Sequence, residues 1–131
     1  MDDLYREMIL DHYRNPQKKQ LVSPADIDYA EDNPLCGDYI HLTIQLDDND
    51  VVKDVGWEGN GCAISQASAS MLYETLIGKT LDEIRAIDKE EILEMLGVPL
   101  GPVRLKCALL SLKVLKAGAY GLQGWPGDEE E

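Results

Sequence analysis

The chain has 131 residues and a formal net charge of −13, from 25 acidic and 12 basic side chains. This length predicts one domain with a modest core. The acidic balance argues against general nucleic-acid binding, which needs basic surface to neutralise phosphates, and it suits a basic partner. The start of the chain lacks the apolar segment of a signal peptide, and no apolar run approaches the roughly 20 residues that span a bilayer. We therefore expect a cytoplasmic protein that binds neither nucleic acid nor membranes.

The first half of the chain predicts one helix and a β-hairpin. Apolar residues recur at helical spacing over residues 3–14, and Asn15-Pro16 ends this helix. Residues 17–35 have no clean period and predict a loop with one short strand. Residues 39–46 alternate apolar and polar side chains, which is typical of a half-buried strand. An acidic turn follows, and Val51 to Trp57 forms the returning strand of the hairpin.

Helical patterns fill the second half. The first ends at Gly78, Thr80 begins a short helix with a capping box, and Asp88 caps the next. The predicted helices cover residues 63–77, 81–86, 89–96 and 103–119. A hairpin plus a short third strand, covered by helices, predicts an α+β fold with a small antiparallel sheet. We expect one domain over residues 1–120 and an acidic, disordered tail over residues 121–131.

Three cysteines occur in contexts that favour a thiolate or a metal ligand over a disulfide. Cys36 is two residues from Asp38, across a glycine that lets both side chains point to one side. Cys62 follows Gly59-Asn60-Gly61 and opens a helical pattern, and Cys107 lies in the first turn or so of the last helix. Free N–H groups at helix starts stabilise thiolates. Three thiols and one carboxylate make a four-ligand set for a soft metal ion or cluster.

Each of these residues also has a simpler interpretation. Cys62 and Cys107 could be buried core cysteines, because free cysteine is among the most buried residue types. Asp38 could cap the strand that follows it. The two histidines are not assigned to the site: the pattern predicts a half-buried, hydrogen-bonded His12 and a solvated His41.

Four segments of the chain resemble the iron–sulfur cluster assembly scaffolds of the IscU/SufU/NifU N-terminal family. The resemblance covers roughly residues 3–120 and includes the N-terminal helix with its Asn-Pro stop. Its three cysteine motifs, in order along the chain, are Asn33-Pro34-Leu35-Cys36-Gly37-Asp38, Gly59-Asn60-Gly61-Cys62-Ala63-Ile64-Ser65 and Pro102-Val103-Arg104-Leu105-Lys106-Cys107-Ala108. The resemblance implies the IscU/SufU-like fold and a role for all three cysteines.

The resemblance also implies a chemistry for the site. Cys36, Asp38, Cys62 and Cys107 would hold a transient [2Fe–2S] cluster, and thiolates suit iron because they are soft donors. Sulfur would arrive as a persulfide from a cysteine desulfurase, with Cys107 and Cys36 as candidate acceptors and Lys106 as an auxiliary residue. The assembled cluster would then pass to apo iron–sulfur recipient proteins.

Two departures from the family pattern leave more than one function open. Lys106 precedes the third cysteine, as in the SufU branch, where the IscU branch has histidine; yet the chain lacks the insertion that the SufU branch usually carries between the second and third cysteines. The first interpretation is a non-enzymatic scaffold, and the alternative is a zinc-dependent sulfurtransferase in which the same four residues bind Zn²⁺. A structural zinc module is a third interpretation, and the Asp ligand counts against it because structural zinc sites usually contain only Cys and His.

Lysines on the last predicted helix suggest a partner surface. Lys106 and Lys113 are seven residues apart, within about 20° of each other around a helix, and Lys116 lies about 60° further round. We expect these lysines to form a basic stripe that docks an acidic patch on a partner. The alternative is an ordinary solvated helix face.

Overall fold

The structure is a computed structural model that describes residues 2–33, 37–97 and 100–119. Its helices and strands follow the predicted order closely, and the fold is α+β, as the sequence predicts. The expected tail, residues 121–131, lies outside the described residues. The elements are α1 (Asp2–Arg14), β1 (Ile27–Asn33), β2 (Asp38–Leu46), β3 (Val52–Asn60), α2 (Ala63–Glu74), α3 (Leu81–Arg85), α4 (Lys89–Leu96) and α5 (Pro102–Ala119).

The three strands form one antiparallel sheet in the order β1-β2-β3. The predicted hairpin and the short third strand are therefore confirmed. The hairpin runs three residues further than predicted, because β3 continues past Trp57 and Asn60 pairs with Tyr39. This extension carries the chain to the residue that precedes Gly61 and Cys62.

One face of the sheet packs against helices and forms the core. Ile40, Leu42 and Ile44 of β2 are completely buried. Helix α5 lies against β1 and β2, and α2 lies against β3. On the opposite face, Thr43 is buried as well because Val22 of the loop before β1 donates its N–H to the Thr43 hydroxyl at 3.0 Å. Among the described residues, no helix is long and apolar enough to cross a membrane.

The helix ends show which local sequence signals were sufficient to predict where a helix begins or ends. Thr80 and Glu83 form the predicted capping box, and Asp88 caps α4 through the N–H of Glu91. The predicted end of α2 was wrong: the helix stops at Glu74 and not at residue 77. The Thr75 hydroxyl donates to the Leu72 carbonyl at 2.7 Å, so a side chain takes up a carbonyl at the helix end.

The predicted basic stripe on α5 is also wrong. Lys116 is only 8% exposed, and its ammonium group donates to the Arg85 carbonyl at 2.5 Å. Burial lowers the pKa of Lys116, while the nearby Asp88 carboxylate acts in the opposite direction. Lys113 forms an ion pair with Glu31 of β1 at 2.8 Å. These two lysines therefore bind within the fold and do not form a free docking surface.

Candidate metal and sulfur site

The structure brings three of the four predicted site residues together. One ligand atom from each of Asp38, Cys62 and Cys107 lies within 4.8 Å of the other two. They come from three separate elements: the start of β2, the residue before α2 and the second turn of α5. The fourth predicted residue, Cys36, lies outside the described residues.

Asp38 is the buried carboxylate of this group, with no exposed surface. Its Oδ1 accepts a hydrogen bond from the backbone N–H of Cys62 at 2.9 Å, and its Oδ2 lies 3.8 Å from the Cys62 sulfur. Gly61 makes this approach possible, because a Cβ there would lie 2.0 Å from Oδ1. Asp38 is therefore both a candidate ligand and an anchor for the loop that carries Cys62.

Cys62 is the accessible thiol of the group. It is the N-cap of α2, as its place before the helical pattern predicts, and its sulfur accepts a hydrogen bond from the N–H of Ser65 at 3.5 Å. Its side chain is partly exposed, whereas Asp38 and Cys107 are buried. The contact with the Ser65 N–H was not predicted, although an N-cap side chain commonly accepts a hydrogen bond from the amide three residues on.

Cys107 lies deeper than expected. It is the sixth residue of α5 and only 2% exposed, so it belongs to the second turn and not to the first. Its backbone N–H is thus beyond the free N–H groups at the helix start. Its sulfur is in a disulfide in this structure, contrary to the expectation from its sequence context. Cys107 becomes a metal ligand or a nucleophile only after reduction to the thiolate.

Lys106 and the two histidines are not part of the group of Asp38, Cys62 and Cys107. Lys106 is half-buried on α5, and consecutive helix residues point about 100° apart, so its side chain diverges from that of Cys107. His12 contacts the Ser70 hydroxyl at 2.7 Å, which confirms its expected half-buried, hydrogen-bonded place. His41 is not simply solvated, because its Nε2 lies 2.6 Å from a carboxylate oxygen of Asp28 on the neighbouring strand.

The donor atoms suit a thiophilic metal ion. A tetrahedral zinc ion with bonds of about 2.3 Å to sulfur and about 2.1 Å to oxygen separates those two atoms by about 3.6 Å. The observed distance between the Cys62 sulfur and Oδ2 of Asp38 is 3.8 Å, and the Cys62 thiol points at that oxygen. A metal ion would take the place of the thiol proton, with Cys107 at the buried side.

The family model of the NifU-like N-terminal domain matches residues 4–126 of the chain. The chain belongs to the NifU-like N-terminal domain family. The resemblance seen in the cysteine motifs is thereby confirmed, and the match takes in Asp38 and all three cysteines.

Similar proteins within the NifU-like N-terminal family are named either as a sulfurtransferase or as a scaffold protein. The chain is 38% identical to the zinc-dependent sulfurtransferase SufU of Bacillus subtilis, over 95% of each protein. It is 34% identical to the iron–sulfur cluster assembly scaffold protein IscU of Haemophilus influenzae, over 86% of this chain and 90% of the relative. The fold is similar as well.

Two solved structures of the same family show that similarity. The first, described as a putative iron–sulfur cluster assembly scaffold of the SUF system from Fervidobacterium islandicum, has a TM-score of 0.74 and 31% identity, over 86% of this chain and 94% of that chain. The second is the N-terminal part of a NifU-like protein from Brucella abortus. It has a TM-score of 0.73 and 26% identity, over 91% of this chain and 94% of that chain.

Proposed function

We propose that this protein takes part in iron–sulfur cluster assembly, as a scaffold that accepts sulfur and holds a cluster before transfer. The observation that carries the proposal is the group of Asp38, Cys62 and Cys107, whose ligand atoms lie within 4.8 Å of one another. Cys36 is the proposed fourth ligand, from its sequence motif. The cluster is cargo, and we assign it as [2Fe–2S] from the family resemblance.

The residues of the group differ in access, and this suits a cluster that must be released. Cys62 is partly exposed, so a partner can reach it, while Asp38 and Cys107 lie behind it. Carboxylate oxygen is a harder donor than thiolate and binds soft iron less strongly. Asp38 is therefore the exchangeable ligand of the set.

Sulfur transfer to the site is a thiol–persulfide exchange. A cysteine thiolate of this chain attacks the outer sulfur of the donor's persulfide, a new S–S bond forms as the donor's S–S bond breaks, and the donor cysteine leaves as a thiolate. The exchange itself is redox-neutral, and it begins once the disulfide of Cys107 has been reduced to the thiolate. Cys107 and Cys36 are the proposed acceptors from the sequence, with Lys106, the residue before Cys107, as an auxiliary residue.

The second candidate is a zinc-dependent sulfurtransferase that uses the same residues. It is supported by the SufU relative, which aligns over 95% of both chains, and by Lys106 before the third cysteine. Bound zinc would keep the thiolates deprotonated and oriented at neutral pH. The role of this chain's own residues is unchanged: Asp38 anchors the Cys62 loop, and one cysteine accepts sulfur. A purely structural zinc module fits less well, because Asp38 is in the donor set and Cys62 is partly exposed.

A cysteine desulfurase is the proposed sulfur donor, apo iron–sulfur proteins are the proposed recipients, and the cytoplasm is the proposed location. The test is anaerobic purification with a reductant that does not bind metal, followed by metal analysis and a visible spectrum. A brown protein with iron and sulfide supports the scaffold, and a colourless one with a single zinc ion supports the sulfurtransferase.

Substitutions test whether a bound metal is held by these residues. Cys62→Ser should abolish binding of either metal, whereas Asp28→Asn, which removes an exposed carboxylate on β1, should not. Wild-type protein without iron or zinc under these conditions would reject both functions.

A further inference from the structure

Helices α2 and α5, which carry Cys62 and Cys107, are buried on all sides near the site. All ten residues of α2 from Ile64 to Tyr73 are buried, and so are the six consecutive residues of α5 from Cys107 to Leu112. An amphipathic helix is oriented by its single apolar face. These helices have no such face over these residues, so hydrophobic patterning does not select which side of α5 meets α2.

Three buried side chains make directional contacts across this helix pair. The Ser68 hydroxyl donates to the Ala108 carbonyl at 2.7 Å and lies 2.8 Å from the Ser111 hydroxyl. The Tyr73 hydroxyl donates to the Ser111 carbonyl at 2.7 Å. Ser68, Tyr73 and Ser111 have no exposed surface. We refer to these three residues as the hydroxyl lock.

We propose that the hydroxyl lock is the positioning element of the site, because it fixes the rotation and the longitudinal position of α5 against α2. Ala108 immediately follows Cys107, so the bond from Ser68 constrains the backbone next to the cysteine. A shift of α5 by one residue turns each side chain by about 100° and moves it about 1.5 Å along the axis. Such a shift would move the Cys107 sulfur away from Cys62 and Asp38.

The cost of an unmade buried hydrogen bond agrees with a role in selecting one position of α5 against α2. An unmade hydrogen bond in a buried site is expensive, so an α5 position that leaves these hydroxyl groups unpaired is disfavoured even where its apolar packing is good. The Tyr73 and Ser111 bond repeats the constraint farther along α2 and thereby restricts the tilt between the helices. The hydroxyl groups of these residues bond to backbone carbonyls of α5 and to each other, so they act on Cys107 through the backbone.

The lock can be tested in metal-free protein. A Cys36→Ser background leaves Cys62 and Cys107 as the only thiols, and the equilibrium constant for closing their disulfide in a glutathione buffer reports how well the two sulfurs are held together. Adding Ser68→Ala or Tyr73→Phe should lower this constant about three- to tenfold, the range that loss of one net hydrogen bond allows. Circular dichroism and thermal unfolding verify that each variant is folded.

The matched control is Thr43→Val. Thr43 is 2% exposed, and its hydroxyl donates to the Gly56 carbonyl at 2.9 Å, so the change also deletes a buried hydroxyl, but in the sheet. It should lower stability and change the disulfide constant less than twofold. The lock is rejected if Ser68→Ala and Tyr73→Phe change the constant no more than Thr43→Val does. It is also rejected if Cys62 and Cys107 do not form a disulfide in the Cys36→Ser protein.

A second measurement rests on the proposed function, because it uses the bound metal. In wild-type residues 1–131 under reducing conditions, Co²⁺ should give sulfur-to-cobalt charge-transfer bands, and Ser68→Ala should shift or weaken them while Thr43→Val leaves them in place. Absence of Co²⁺ binding by the wild-type protein counts against the proposed metal function and does not affect the disulfide test, so the two failures are distinguishable. Normal wild-type bands that Ser68→Ala leaves unchanged would contradict the lock.

Discussion

The carboxylate of Asp38 holds the backbone N–H of Cys62 at 2.9 Å, across 24 residues of sequence. This bond joins the first residue of β2 to the N-cap of α2. It also places the second carboxylate oxygen toward the Cys62 sulfur. One side chain thus orders the loop and offers a candidate ligand atom, so substitutions at Asp38 should separate these two effects.

Asp38→Ala should destabilise the reduced, metal-free protein by about 1.5–3 kcal/mol, because the half-buried N–H of Cys62 loses a charged acceptor. Asp38→Asn keeps an oxygen for the Cys62 N–H and should cost less. In both variants release of a bound cluster should slow, since the hardest ligand is gone or weakened. Urea unfolding and transfer rates to an apo-acceptor measure the two effects. A transfer rate as fast as that of wild type would contradict Asp38 as the exchangeable ligand.

Gly61→Ala should damage the site through sterics alone. A Cβ at Gly61 would lie 2.0 Å from Oδ1 of Asp38, and the residue has a φ of +141°, which L side chains rarely adopt. We expect a loss of about 1–3 kcal/mol and much weaker zinc binding. Gly101→Ala is the control, because a Cβ there meets no atom within 4 Å. Equal zinc affinity in the two variants would show that the Asp38 side chain can move away without cost.

The sequence predicted the features that depend on local signals. Each of these signals lies within a few neighbouring residues: the capping box of Thr80 and Glu83, the Asp88 cap, and the alternation of β2. The cysteine motifs also pointed to Asp38 and Cys62 before any geometry was known. Their contact through a backbone N–H could not be predicted, because it depends on how β2 and the start of α2 come together.

The errors came from tertiary contacts that override local pattern. By sequence, Lys116 is typical of a solvated helix residue. In the fold its neighbours along α5 are buried too, and the Arg85 carbonyl accepts a hydrogen bond from its ammonium group. Asn60 has low strand propensity, but pairing with Tyr39 extends β3 to it. Ser68 and Ser111 are 43 residues apart, and no pattern in one sequence pairs two serines at that distance.

Substitution of Lys116 should affect folding and not partner binding. Lys116→Glu would bury a carboxylate near Asp88 and Glu91, which now face a cation, and should cost more than about 3 kcal/mol. Lys116→Met conserves the volume of the stem and should stay within about 1.5 kcal/mol of wild type. Lys89→Glu, at an exposed position, should change stability by less than about 0.5 kcal/mol. Equal unfolding midpoints for the two Glu variants would rule out the buried place of Lys116.

Tyr73 should make the protein sensitive to alkali. Burial raises the pKa of Tyr73 well above its ordinary value of 10.0, so above that pH the unfolded chain loses the phenolic proton while the folded chain keeps it. The stabilisation associated with Tyr73 is therefore complete below pH 10 and declines as the pH rises further, with a limiting slope of about 1.4 kcal/mol per pH unit. Urea unfolding of wild type and Tyr73→Phe between pH 8 and about pH 11.5 measures this decline in stability. The stability difference between the two proteins should be constant up to about pH 9.5 and then shift in favour of Tyr73→Phe. Contributions from Lys116 are present in both proteins and cancel, so a difference that stays constant to the highest pH would show that Tyr73 ionises equally in the folded and unfolded chains.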